Sequence, residues 1–392
     1  MKILMTADTV GGVWTYALDL VAALSPQHYK VTMATMGAPL TRTQWQATLC
    51  YPHLSVCESA YKLEWMDDPW GDVTAAGRWL LYLAQEFKPD LIHLNGYVHA
   101  TLPWGAPVLV VGHSCVLSWW RSVKAVTAPA PYDTYRRLVG AGLHAAAAVV
   151  APTHAMLTAL QDEYGPLAQS RVIPNGRDTT LFAPAPVKIP LIFSIGRLWD
   201  EAKNVRALDE AASGLPWPVH VAGCSAHPAG HELALHHAHP EGVLTPPAVA
   251  RWLARASIYA LPARYEPFGL SVLEAALSEC ALVLGDIPSL RENWQGAALF
   301  VNPDDSQALH TALSLLINDP RLRAALGAAA LRRAQRFTLA KLGGAYAQLY
   351  RDLCQEAAPG QEGPTTLYGA LPIDSQPLAP ALSAFQAFEG QA

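Results

Sequence analysis

The sequence predicts an α/β protein made of two doubly wound parallel sheets that face each other across a cleft. Three observations carry this. Strand-like and helix-like segments alternate through both halves of the chain, the pattern of parallel sheets with helices on both faces. The stretch "RVIPNGRDTTLFAPAPVKIP", Arg171 to Pro190, interrupts that rhythm with prolines and Gly176, which is linker chemistry. A chain of 392 residues, 51% of them hydrophobic, has material for two cores. Ligands of open α/β sheets bind beyond the carboxyl ends of the strands, so the loops that follow strands are where chemistry is expected.

The elements follow in order. "KILMTAD" reads as a first buried strand, and "GGVWTYALDLVAALS" as a helix with apolar spacing at Val13, Ala17, Leu20, Val21 and Leu24. "YKVTMATMG" is a second strand. "AAGRWLLYLAQEFKPDLIHLN" is a helix and then a strand, and "PVLVVGHS" and "AAAAVVAPT" are further strands. After the break the pattern restarts. "LIFSIGRL", "PVHVAG", "SIYALPA" and "ALVLGD" read as strands; "NVRALDEAAS", "PAVARWLARA" and "GLSVLEAALSE" read as helices. Near the end, "LRAALGAAALRRAQRFTLAKLGGAYAQLYRDLCQ" is helical. From Glu356 the chain is Pro/Gly-rich with scattered apolar residues such as Leu367, Tyr368 and Phe385. It reads either as a disordered tail or as a strap draped over the first domain.

Composition excludes several classes. Lys and Arg number 27 against 32 Asp and Glu, so the basic footprint of a nucleic-acid binder is absent. The start "MKILMTADTV" is too short in apolar length for a signal segment, and no run of about 18 apolar residues suggests a membrane span. The six Cys show no C-x-x-C spacing and read as reduced thiols, which places the expected location in the cytoplasm. Five of the 14 His fall between His227 and His239, but the H-E-x-x-x-H spacing of His231 and His236 is not the zinc spacing. A solvated segment is the expectation there, with no metal site.

The most informative stretch is "YEPFGLSVLEAAL", Tyr265 to Leu277, with carboxylates at Glu266 and Glu274. The helix starts near Gly269, and a helix N-terminus offers free amides and a positive dipole end to an anion. Glu266 then stands just before that anion site and Glu274 lies about one and a half turns inside. A carboxylate accepts two hydroxyls at once, which suits the vicinal diols of sugars. The bland alternative is a solvated loop Glu and a helix Glu paired with a neighbouring cation. In "SIGRLWDEAKN" a strand ends at Gly196 and Arg197, with Lys203 six residues later. Two cations there would hold a diphosphate, or else pair with Asp200 or Glu201. In "ADTVGGVWTY", Gly11 and Gly12 occupy the first strand-to-helix turn, where glycine lets backbone amides approach a phosphate; the pair also serves a simple tight turn.

Together these motifs resemble the retaining glycosyltransferases of family 4, which have the GT-B fold of two Rossmann-like domains. The resemblance covers nearly all of residues 1–355. "LPARYEPFGLSVLEAALSECALVLGD" is similar to the family's segment around its paired glutamates. "GRLWDEAKN" is similar to its phosphate-binding Arg and Lys segment, "GGVWTYALDLVAAL" to its Gly-Gly loop, and "VIPNGRDTTLF" to its interdomain stretch, usually I-P-N-G-V-D-x-x-x-F.

The resemblance implies an N-terminal, acceptor-side domain over residues 1–180 and a donor-binding domain over 181–340. A helix at 341–355 would cross back to the first domain, before the tail at 356–392. It implies that Glu274 binds the ribose diol of a sugar nucleotide and that Glu266 binds donor-sugar hydroxyls with the Phe268, Gly269 and Leu270 backbone. Arg197 and Lys203 would hold the diphosphate as leaving group. Gly12, in the Gly11–Gly12 turn, would offer an amide to the distal phosphate, and His113 would stand beside the reacting sugar. The base would sit near Val243 and Leu244. The implied reaction transfers a hexose from a UDP- or GDP-sugar to a glycan, lipid-linked or small-molecule acceptor on the face the nucleotide leaves, with no metal or other cofactor. The rivals are a non-catalytic relative that binds sugar nucleotide and an epimerase on the same scaffold.

The sequence departs from the family in "GDIPSLREN", where a Gly-Gly is usual; Ser289 and Glu292 have the spacing of a capping box instead. The acceptor side is expected near Gly11, His113 and "CVLSWWRSVKAVTAPAPYDTYRRL". There Trp119 and Trp120 either stack on a sugar, make a weak peripheral membrane contact beside Arg121 and Lys124, or pack internally.

Overall fold

The computed structural model describes residues 1–226 and 233–357. Seven strands form the first sheet: β1 (Lys2–Asp8), β2 (Lys30–Met36), β3 (Leu54–Glu58), β4 (Leu91–Leu94), β5 (Val108–Val111), β6 (Ala148–Ala151) and β7 (Ser170–Val172). Six form the second: β8 (Ile189–Ile195), β9 (Val219–Ala222), β10 (His239–Pro240), β11 (Ala256–Leu261), β12 (Ala281–Gly285) and β13 (Ala298–Val301). The orders are β3-β2-β1-β4-β5-β6-β7 and β10-β9-β8-β11-β12-β13. Among the described residues every pairing between these strands is parallel. Both sheets therefore reverse direction beside their first strand, between β1 and β4 and between β8 and β11. Those switch points open the crevices where ligands bind.

The central strands are buried on both faces, which is why they read as continuous apolar runs rather than alternating ones. Helix Gly12–Leu24 packs β1 and β2 through Tyr16, Leu20 and Val21. Helix Leu270–Leu277 does the same in the second half through Val272, Leu273 and Ala276, against Trp294 and Phe268. Between β8 and β9 the backbones nearly touch: a Cβ on Gly223 would lie 1.7 Å from the Gly196 carbonyl oxygen, and its φ of +140° suits only glycine.

Three local expectations change. Arg171 and Val172, assigned to the linker, form β7 and close the first sheet against β6. The long terminal helix is two, Pro320–Ala334 and Leu339–Glu356, each started by a side-chain cap, Asp319 and Thr338. Leu342, Tyr346, Tyr350 and Leu353 of helix Leu339–Glu356 share one core with helix Gly12–Leu24. The tail residues Leu367, Tyr368 and Phe385 lie outside the described residues, as do His227 and His231.

The third change is the capping box. Ser289 and Glu292 make no cap at their own helix, Pro288–Trp294. The Ser289 hydroxyl donates to the Glu266 carbonyl at 2.5 Å. The Glu292 carboxylate accepts the amides of His154 and Ala155 at 2.8 and 2.9 Å, so it caps helix His154–Tyr164 of the first half.

Candidate active site at the facing sheet edges

The two switch points face each other. A Cβ on Gly11, beyond β1, would lie 3.6 Å from Arg197 Nη1, beyond β8, and one on Gly12 would lie 3.6 Å from Leu270 Cδ1. The Gly-Gly turn of one half thus meets the cation and the helix N-terminus of the other.

On the second-half side, Lys203 Nζ donates to Glu266 Oε2 at 2.5 Å, both side chains largely buried, and Glu266 Oε1 accepts the Gly269 amide at 3.0 Å. Of the helix-start amides expected to be free for an anion, that of Gly269 is therefore taken by Glu266. Phe268 serves the core, edge-on to Phe337, and its carbonyl accepts from Asn293. Gly269, at φ +88°, turns the chain into the helix. Arg197 is 44% exposed, pairs with Asp200 at 2.7 Å and lies over Trp199 at 5.5 Å. Its guanidinium is thus half-exposed at the cleft with Asp200 as its carboxylate partner. Val243 is 78% exposed and Leu244 is packed at the edge of the second core. Both follow Gly242, whose carbonyl accepts the Gly223 amide beside Gly196.

Glu274 is the surprise of this half. Its Oε1 accepts from Arg177 Nη2 at 2.8 Å, and Arg177 Nη1 donates to Asp19 of helix Gly12–Leu24 at 2.7 Å. Burial pushes Glu274 up to about 7; Arg177 opposes that and Asp19 adds to it.

On the first-half side, Asn95 Nδ2 donates to the Thr6 carbonyl at 2.7 Å, which fixes its Oδ1 as an acceptor. That oxygen lies 2.8 Å from His113 Nε2 and 3.3 Å from His93 Nε2, so both rings carry their proton on Nε2. His93 Nδ1 then accepts from the Tyr350 hydroxyl at 2.7 Å. The Tyr16 ring meets His113 edge-on at 4.4 Å. Burial, helped by His93, drives His113 down to about 3, so it is neutral and keeps an Nδ1 lone pair for a hydroxyl. Two carboxylates that motif reading passed over border the same edge. Asp8 ends β1, accepts the Val10 amide at 2.6 Å, and is raised by burial. Glu64 accepts the Tyr97 and Val98 amides at 3.0 Å each, and burial pushes it up to about 7. Neither carries a recognisable spacing signal.

Direct bonds hold the halves together beside this cleft. The Tyr265 hydroxyl accepts the Cys115 amide at 3.0 Å and lies 2.9 Å from Ser118 Oγ. Thr153 Oγ1 donates to the Pro267 carbonyl at 2.9 Å. Trp119 Nε1 donates to Asp200 at 3.3 Å, while Trp120 packs into the first-half core. The neighbouring cations are paired, Arg121 with Glu163 and Lys124 with Glu201. Among the described residues, no three His, Cys, Asp or Glu side chains are arranged to hold a metal ion, and no helix is long and apolar enough to cross a membrane.

Two parallel sheets whose facing edges bring together Arg197, the Lys203–Glu266 pair and the Gly11–Gly12 turn have the GT-B architecture of glycosyltransferases. Residues 10–181 match the family model Glycosyltransferase Family 4, and residues 189–319 match Glycosyl transferases group 1. The chain belongs to the family 4 glycosyltransferases. It is 28% identical over 319 residues to the D-inositol 3-phosphate glycosyltransferase of Kineococcus radiotolerans, covering 69% of this chain and 73% of that one. A 112-residue stretch is 34% identical to the lipopolysaccharide core biosynthesis mannosyltransferase LpcC of Rhizobium leguminosarum bv. viciae, covering 27% of this chain and 31% of the relative. Among solved structures, sucrose-phosphate synthase from Thermosynechococcus elongatus superposes with a TM-score of 0.79 at 19% identity, over 91% of this chain and all of that one. The Anabaena protein HepE, solved with UDP-glucose, superposes with a TM-score of 0.72 at 18% identity, over 90% of this chain and all of that one.

Proposed function

We propose that this glycosyltransferase moves a hexose from a UDP- or GDP-sugar to a hydroxyl acceptor with retention of anomeric configuration and without a metal ion. The observation that carries the reading is the convergence of Arg197, the Lys203–Glu266 pair and the Gly11–Gly12 turn at one interdomain edge. HepE, a neighbour in fold, was solved with a nucleotide sugar. In the proposed reaction the bond between the sugar C1 and the diphosphate oxygen breaks, and the electron pair leaves with the phosphate. The acceptor oxygen bonds to C1 from the same face, and its proton passes to the departing phosphate. Arg197 and Lys203 balance the charge that develops on the leaving group, which is catalysis by positioning and electrostatics rather than by a protein nucleophile. Glu266, tied to Lys203 and the Gly269 amide, presents its remaining lone pairs to sugar hydroxyls. Neutral His113 accepts another hydroxyl through Nδ1. Glu274 takes the ribose diol. The acceptor, a glycan, a lipid-linked sugar or a small polyol, enters along the β1 and β4 edge.

Thermal shift with UDP, GDP, ADP and CDP, each with EDTA, tests the donor class. A nucleotide at 100 times its Kd adds about 2.7 kcal/mol of stability, so one base should raise the midpoint by degrees. A flat response to all four would sink the reading and favour a relative that no longer binds nucleotide. With the base known, NMR of the product anomer decides retention, and release of free nucleoside diphosphate separates transfer from epimerisation.

A further inference from the structure

Arg177 follows Asn175 and Gly176 in the interdomain stretch and has no part in the reaction described above. It is 7% exposed and lies over the Phe182 ring at 5.1 Å. Its backbone is fixed independently of its side chain. The Arg177 amide donates to the Phe337 carbonyl at 3.0 Å, and a Cβ on Gly176 would strike the Thr338 carbonyl oxygen at 2.5 Å. From that anchor the guanidinium reaches two carboxylates on two different helices, Asp19 at 2.7 Å and Glu274 at 2.8 Å. Those helices begin at the turns that face each other, Gly12 and Leu270, so the bridge sits behind the phosphate end of the cleft.

Two buried carboxylates so close cannot both ionise cheaply without a cation between them. Burial pushes Asp19 up to about 6 and Glu274 up to about 7, with Arg177 opposing both. Asp178 and Tyr51 also face Asp19, and Tyr259, whose hydroxyl bonds Ser271, faces Glu274. Arg177 is thus the cation of the group.

We propose that Arg177 is a positioning residue for the donor: it ties down Glu274 Oε1 and leaves Oε2 for a vicinal diol, and through Asp19 it sets the register of the two facing helix N-termini. The inference rests on the nucleotide-sugar reading. A carboxylate accepts two hydroxyls, whereas a carboxyl spends one oxygen as a donor, so loss of the charge weakens diol binding.

The test is titration calorimetry with UDP or GDP, whichever stabilises the parent, from about pH 6 to about pH 9, with KM and kcat in parallel. The parent should bind more weakly as pH falls through about 7. Arg177→Gln should raise Kd about tenfold at neutral pH, recovering by up to tenfold per pH unit as Glu274 ionises, with kcat changed less than KM. Arg177→Lys should restore part of the affinity, and Asp19→Asn should move the acid limb to lower pH. An arginine that only stabilises the fold would lower the melting midpoint and leave the limb where it is in the parent. If Arg177→Gln does not fold, Arg177→Lys and Asp19→Asn decide. Parental Kd and an unmoved limb in those variants overturn the inference. A parent that binds none of the nucleotides overturns the functional reading itself, which is a distinguishable result.

Discussion

Replacing Tyr265 by Phe removes one oxygen from the seam between the two halves. That oxygen accepts the Cys115 amide at 3.0 Å and pairs with Ser118 Oγ at 2.9 Å, where Cys115 and Ser118 are 2% and 4% exposed. Ser118 keeps a partner, because its hydroxyl also reaches the Cys115 carbonyl at 3.0 Å. The Cys115 amide has no such reserve and is left buried without an acceptor, which costs about 1–3 kcal/mol. The ring itself still packs, so no cavity contribution adds to this. Tyr265→Phe should therefore lose about 1–3 kcal/mol in urea unfolding with an unchanged m-value. Because Glu266 is the next residue, donor KM should rise as well. A loss below about 0.5 kcal/mol would refute the reasoning, since it would mean the two halves do not meet through this hydroxyl in solution.

Three further outcomes follow from the same geometry. Lys203→Ala should cut kcat by about 10²–10³-fold while leaving most of the folding stability, because its charge acts on the leaving group; normal turnover would remove it from the site. Glu64, pushed by burial from 4.5 to about 7, holds a folded-state value above its unfolded one. Its contribution to stability is present at low pH and is lost as pH rises through about 7, so Glu64→Gln should be stabilising at about pH 8 relative to about pH 5, read from melting midpoints at both. Gly223→Ala should fail to fold or should lose more than about 4 kcal/mol, since its methyl would overlap the Gly196 carbonyl at 1.7 Å; a soluble variant with a parental midpoint would contradict the sheet register at β8 and β9.

Much of the fold was legible because parallel strands buried on both faces are short apolar runs, and β1, β5, β6 and β12 are nearly uninterrupted in sequence. The cleft followed from where those runs stop, at Gly11, Arg197 and Glu266. What could not be read was pairing. Serine and glutamate at Ser289 and Glu292 have the spacing of a cap, yet their partners come from Glu266 and from a helix in the other half. Glu274 has the spacing of a diol ligand, and nothing local in the sequence announces Arg177 behind it. The arginine was visible only as a mismatch, in "IPNGRD" where valine is usual. Likewise Trp119 and Trp120 are adjacent and identical, but one reaches Asp200 and the other packs, half-buried, against a core.

Helix Leu339–Glu356 has a consequence for biosynthesis. Tyr350 bonds His93, and Tyr346 and Leu349 lie in the same core as Tyr16 and Leu20. The first sheet therefore lacks one wall until Leu339–Glu356 has left the ribosome, long after its own strands. At about 5–20 residues per second, the apolar face of helix Gly12–Leu24 waits on the order of tens of seconds for its cover. The amino-terminal half must be carried through translation unfinished until helix Leu339–Glu356 completes it.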